Sequence, residues 1–284
     1  MITETYTLNN GVKIPKIGLG TWFINNSDVA EVMNNAMEVG YRHFDTAQAY
    51  RNEAGVGEGV RSSVVKRKDL FITSKLHPVK ELYDDPEKAI QTVLETLNIE
   101  YLDLLLIHSP QPWTKYHGKK KYYQENKKVW KAMEKAYKEG KLKAIGVSNF
   151  LQDDLENLLE DCEIKPMVNQ MLLHIGNTPF ELLKYCQKNE ILVVAHSPIA
   201  HGKALKNKNI QKIALKYNVS IPQLCIRYVL ELGALPIPKT SNVEHMKSNI
   251  DVTFEISKED IETLKKIKPI RYGLLKMFPV YSGK

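Results

Sequence analysis

Strand-like and helix-like stretches alternate eight times along this chain, and few folds accept that pattern. The apolar, β-rich runs are KIGLGT (16–21), RHFDT (42–46), DLFITSK (69–75), LDLLLIH (102–108), KAIGVSN (143–149), PMVNQM (166–171), LVVAHS (192–197) and ALPIPKT (234–240). Between them lie segments with the 3.6-residue apolar period of a helix, among them 28–40, 85–98, 149–161 and 221–232. Start and stop signals frame several of these: Ser27 or Asp28 before the first, Gly40 after it, Asp85-Pro86, and Ser220 just ahead of Pro222. Parallel strands need crossover connections, and the crossover helices bury both faces of the sheet. Eight such units with no Pro-, Gly- or Ser-rich linker predict an α/β fold, one (β/α)8 TIM barrel domain over residues 1–284. The rival, an open doubly wound sheet, lacks a glycine fingerprint after its first strand. GVGEGV (55–60) has the wrong spacing and is expected at a loop-to-helix start. Ahead of the first run, Asn10-Gly11 between strand-like flanks predicts a β-hairpin with a type I′ turn, placed to plug the barrel floor.

Composition removes several classes of function. The most apolar run, LDLLLI, is far below the roughly 20 residues of a membrane span, and the first residues lack the pattern of a signal peptide. The expectation is a cytoplasmic protein with no membrane partner. Three cysteines at wide spacing match neither a disulfide framework nor a zinc site. The net charge of +7 is diffuse, and its densest cluster, KYHGKKKYY (115–123), reads as a solvated loop and not as a nucleic-acid surface. No heptad seam is present, so a monomer is expected.

Chemistry on such a barrel sits at the carboxyl ends of the strands. Read that way, the runs deliver Asp45 with Tyr50 just beyond, then Lys75, His108, Ser148 and Asn149, Gln170, His196 and Lys239 to one rim. Two kinds of site use such a set. His43, Asp45, Lys75, His108, His174 and His196 are the material of a metal-dependent hydrolase, although a metal-ligating His-x-His and a second strand-end carboxylate are missing. The other needs no metal. A lysine ammonium near a tyrosine favours the phenolate and brings the phenol into range as a general acid, with Asp45 holding the lysine and His108 orienting a carbonyl oxygen.

GLGTW (18–22), HFDTAQAYRNEAGVG (43–57), ITSKL (72–76), LLLIHSP (104–110), IGVSNF (145–150), NQMLLH (169–174) and IPKT (237–240) resemble, in order, the successive motifs of the aldo-keto reductases. The resemblance spans roughly Tyr6 to Asn249 and implies a barrel that binds NADPH without a Rossmann fold and transfers hydride to an aldehyde or ketone. By the same resemblance Tyr50 protonates the carbonyl oxygen, assisted by Lys75 and Asp45, and His108 orients the substrate. Ser148, Asn149 and Gln170 match the positions that hold the nicotinamide carboxamide. Gly20, Thr21, Trp22, Ser197 and Ile199 join the cofactor contacts, with Trp22 also a wall of the substrate pocket. Lys239, Thr240 and Ser241 match the loop that grips the 2′-phosphate, and Asn249 the adenine side. A catalytically silent nicotinamide-binding barrel is the alternative within the family.

Four positions depart from the family pattern. Ser109 stands where a tryptophan is common, opening the substrate pocket, and Trp113 is a candidate to replace that wall. Leu172 replaces a glutamate. His245 replaces an arginine at the second phosphate position, and an imidazole offers fewer donors than a guanidinium fork. The expected outcome is NADPH preference with some tolerance of NADH. His196 stands where a tyrosine commonly stacks on the nicotinamide. A histidine there would gain charge near pH 6.5 and repel oxidised cofactor in acid.

Overall fold

The computed structural model describes residues 3–115 and 120–273. Part of the lysine-tyrosine cluster at 115–123 and most of the tail 271–284 lie outside the described residues. Two short strands, β1 (Thr5–Thr7) and β2 (Lys13–Pro15), pair antiparallel. Eight parallel strands follow: β3 (Leu19–Gly20), β4 (His43–Asp45), β5 (Phe71–Leu76), β6 (Leu104–Ile107), β7 (Ile145–Ser148), β8 (Val168–Leu172), β9 (Leu192–His196) and β10 (Leu235–Ile237). They lie side by side in chain order, and backbone bonds from Gly18 N to Pro236 O and from Gly20 N to Pro238 O, both 3.1 Å, bring the last strand back to the first. The barrel inferred from the alternation is therefore the fold. All but three residues of its eight strands are buried, as expected for strands covered by helices outside and packed side chains within.

Helix boundaries follow local chemistry. Asp85 caps the helix Pro86–Leu97 by accepting from Lys88 N at 3.0 Å, and Ser220 and Gln223 form a capping box at the start of Ile221–Glu231. Gly40 closes Val29–Val39 with φ 116°, a conformation that favours glycine. The expectation for 55–60 is corrected, since GVGEGV lies inside the helix Glu53–Arg61. Its glycines permit close packing: a Cβ on Gly57 would fall 1.8 Å from Leu97 O, and one on Gly55 2.2 Å from Asn26 O.

The hairpin is present, but its turn differs from the expected type I′. Leu8 and Val12 pair at 2.8 Å around a three-residue loop, and Gly11 adopts φ 87° while Asn10 stays out of the positive-φ region. Asn10 is held elsewhere, donating to Lys143 O at 3.0 Å and accepting from Val12 N. Asn9 donates to Pro166 O and Glu190 O, and the Tyr6 hydroxyl to Ala234 O. Those carbonyls all precede late strands, so the hairpin seals the amino-terminal end and leaves the carboxyl-terminal end open.

Candidate active site

At the open end the strand termini and following loops enclose a cavity of about 790 Å³, within the range typical of small-molecule sites, about 300–1,000 Å³. Asp45, at the end of β4, and Lys75, in β5, point inward on adjacent strands and are buried. Lys75 Nζ donates to Asp45 Oδ1 at 2.5 Å and to Thr46 O at 2.8 Å, and lies 3.3 Å from the Tyr50 hydroxyl. Gln170 Nε2 donates to the other Asp45 oxygen at 2.7 Å, so both carboxylate oxygens are engaged. Tyr50 ends a turn of 3₁₀ helix, Gln48–Tyr50, and its ring meets that of His108 edge-on with centroids 5.6 Å apart.

Burial pulls Asp45 and Lys75 toward their neutral forms, Asp45 upward and Lys75 downward, and their contact opposes it in both. The Tyr50 phenol is pushed well above its ordinary value, first by burial and then by the Asp45 charge. This corrects the expected lowering by Lys75, whose shorter bonds go to Asp45 and Thr46. Tyr50 therefore keeps its proton. Burial, aided by Lys75, His77 and His196, holds His108 well below the ordinary histidine value, so its imidazole is neutral.

Gly20, Trp22, Ser148, Asn149, His196, Ser197, Ile199, Thr240 and Asn249 line the same cavity, as do Lys239 and His245 toward the helix Val243–Ile250. Lys239 has no ion-pair partner among the described residues. Trp113 lines it too, edge-on to His108 at 4.9 Å. Three expected contacts do not reach it. Thr21 is buried and donates to Asp45 O at 3.0 Å, Ser109 is buried with no partner for its hydroxyl, and Ser241 is exposed away from the wall.

The walls also contain residues that the strand ends did not indicate: Phe23, His201, Leu205, Ser220 and Pro222. Phe23 is 68% exposed and packs on Trp22 at 4.3 Å between ring centroids. His201 meets Trp22 edge-on at 5.4 Å and stands 6.2 Å from the ring of Tyr272, whose hydroxyl pairs with His174 Nε2. The start of the tail thus joins the rim. No three His, Cys, Asp or Glu side chains converge to hold a metal among the described residues, since His43 turns to Thr73 Oγ1 and His174 to Tyr272.

The model of the aldo/keto reductase family matches residues 16–269. The chain belongs to the aldo-keto reductase family. Among aldo-keto reductases, it is 43% identical over 265 residues to a glyoxal reductase of Bacillus subtilis, covering 93% of this chain and 92% of that one. It is 38% identical over 266 residues to a 9,11-endoperoxide prostaglandin H2 reductase of Trypanosoma cruzi, covering 92% and 90%. The aldose reductase of Schistosoma japonicum superposes with a TM-score of 0.87 at 33% identity, covering 98% of each chain. Members of this family are oxidoreductases that generally use nicotinamide cofactors. The residues on this cavity fit such a group: amide and hydroxyl side chains from Ser148, Asn149 and Gln170, apolar cover from Ile199 and Leu205, and a cation at Lys239.

The imidazole of His196 is pushed down to about 3, first by burial and then by Lys75 and the neighbouring histidines. Burial and the nearby Lys75 charge thus both work against the expected charge near pH 6.5. NADP+ affinity is expected to change with pH between 5.5 and 8 by the same factor in the parent protein and in His196→Tyr. Titrating both by fluorescence quenching checks this. A steeper loss in acid for the parent alone would contradict it.

Proposed function

We propose that this aldo-keto reductase reduces aldehydes or ketones to alcohols with NADPH, and that Tyr50 delivers the proton. The observation that carries the reading is the buried Lys75–Asp45 pair directly behind a protonated Tyr50 at the floor of the cavity. Reduced nicotinamide, when bound, supplies hydride to the carbonyl carbon. The protein's own groups do the rest. Tyr50 donates to the carbonyl oxygen as negative charge develops there, and Lys75, 3.3 Å from the phenol oxygen, stabilises the phenolate left behind. Asp45 keeps Lys75 charged, and Gln170 with Thr46 fixes that pair in place. Neutral His108 offers a donor that orients the carbonyl without competing for the proton. Trp22 and Trp113 wall the substrate end and exclude water.

Ser148, Asn149 and Gln170 would hold the carboxamide and His196 would stack on its ring. Lys239 with Thr240 and His245 would grip the 2′-phosphate, and Asn249 would meet the adenine. We place the protein in the cytoplasm as a monomer; among the described residues no helix is long and apolar enough to cross a membrane. The retained Asp45, Tyr50, Lys75 and His108 set favours turnover over a silent nicotinamide-binding barrel.

The test is NADPH consumption at 340 nm against a panel of aldehydes, dicarbonyls, α-keto esters and sugars, with NADH in parallel. Dicarbonyls belong in the panel because the Bacillus relative is named for glyoxal. Turnover with NADPH is expected, with weaker activity on NADH. In Lys239→Met the NADPH affinity should fall about tenfold, the worth of one charge-assisted hydrogen bond, and NADH affinity should stay. No turnover of any carbonyl by protein that binds NADPH would favour the silent barrel.

A further inference from the structure

His196 has both ring nitrogens in hydrogen bonds, and the direction of those bonds can be deduced. Asn149 Nδ2 lies 3.0 Å from His108 O and 3.0 Å from Ser148 Oγ. A backbone carbonyl only accepts, so the amide nitrogen of Asn149 must face it and the amide oxygen must face the other way. That oxygen lies 3.3 Å from His196 Nε2, which must therefore carry the ring proton. In a neutral imidazole the second nitrogen is then an acceptor, so Nδ1 receives the proton of Ser197 Oγ, 3.3 Å away. With its proton committed, Ser197 Oγ accepts from His201 Nε2 at 3.1 Å. The bonds run one way: His201 to Ser197 to His196 to Asn149 to His108 O.

We propose that His196 is a positioning residue, the central link of a hydrogen-bond chain with Ser197 and His201 that locks the Asn149 amide and so sets which group the site reads. The proposal rests on the reading of this cavity as a nicotinamide site. Locked this way, Asn149 uses both amide hydrogens within the protein and shows the cavity an acceptor oxygen. Ser148 Oγ, already accepting from Asn149, keeps its hydrogen to donate. Gln170, whose Nε2 is held by Asp45, keeps its oxygen as a second acceptor. One donor and two acceptors match a primary carboxamide, whose oxygen takes one bond and whose NH2 gives two. A ketone in its place would leave both acceptors facing a methyl group. Were Asn149 free to turn over, it would offer an N–H to such a ketone and the distinction would weaken. Backbone geometry supports the lock: Asn149 and Ser197 both have positive φ, 60° and 55°, and Asn149 N is tied to Gln170 O at 2.8 Å.

The probe is the 3-acetylpyridine analogue of NADP+, in which a methyl ketone replaces the carboxamide. Its affinity is compared with that of NADP+ by fluorescence titration of the full chain. The parent should prefer NADP+. In His196→Phe, which keeps a flat ring and loses the N–H donor, the preference should shrink about threefold to tenfold, the value of one hydrogen bond. His196→Gln, which restores an N–H near Asn149, should recover it. Ser197→Ala keeps the ring and removes only the link to His201, and should reduce the preference by a smaller factor. It also carries the test if the phenylalanine variant does not fold. An unchanged preference in either His196→Phe or Ser197→Ala overturns the proposal while leaving the proposed function intact. Failure of the parent to bind NADP+ would instead bring down the nicotinamide reading itself.

Discussion

Replacing Tyr50 by phenylalanine is expected to slow NADPH-dependent carbonyl reduction about 10²–10⁴-fold, the usual contribution of a positioned general acid. Cofactor affinity should change little, because the lost atom is the phenol oxygen and the ring still packs against His108 and Trp22. The loss should therefore appear in kcat and not in the cofactor Kd. Single-turnover measurements on preloaded enzyme separate the chemical step from product release. A variant retaining more than a tenth of the parent rate would remove Tyr50 from the proton-donor role and turn attention to His108. The prediction is sharp because burial keeps the phenol protonated, so the parent enzyme is fully loaded with this proton at neutral pH.

Lys75→Met should cost stability as well as activity. The substitution leaves Asp45, 2% exposed, without the cation that compensates its burial. Breaking a buried pair from one side typically costs about 3–5 kcal/mol, read here from urea unfolding. The pH dependence gives a second signature. Burial already holds the folded Asp45 carboxyl above its unfolded value of about 3.9, and losing Lys75 raises it further. Between the unfolded and the raised folded value the folded state binds more protons than the unfolded one, so stability rises as pH is lowered through that window. Adding Asp45→Asn should recover part of the loss and abolish that slope. A single variant as stable as the parent at pH 8 would show that Asp45 does not depend on Lys75 for its charge.

The barrel and the rim were legible because both follow from periodicity. A parallel strand buried on both faces reads as an apolar run, and its last inward residue falls at the open end, as Asp45, Lys75, Ser148, Gln170 and His196 do. Where the strand stops, alternation no longer says which way a side chain turns. Thr21 and Ser109, one and two steps past their strands, turned into the protein, and Ser241 out of it. Phe23, His201 and Leu205 escaped notice for a related reason. They sit on a loop and on the kinked 3₁₀ stretch Ala200–Lys206, whose course depends on residues with positive φ: Phe23 itself, then Ser197, Ala200, His201 and Gly202 in close succession. No sequence pattern announces such a run, since only one of the five is glycine. The charge states were the least legible. A sequence shows that a lysine lies near a tyrosine, or that a histidine ends a strand. It does not show how much water remains around them, and for Tyr50 and His196 burial decided the outcome.

The hairpin at the barrel floor bears on how the chain is made. Its side chains reach carbonyls far along the sequence, 228 residues away for Tyr6 and Ala234 and 181 for Asn9 and Glu190. During synthesis the hairpin thus has to wait for the residues just ahead of the last barrel strand before finding its partners. The early β/α units emerge with their lower rims uncapped, and only the arrival of β10 both closes the ring and gives the hairpin its seat. Closing the barrel and seating the hairpin are therefore contacts of high sequence separation, which form late and slow the folding of the chain.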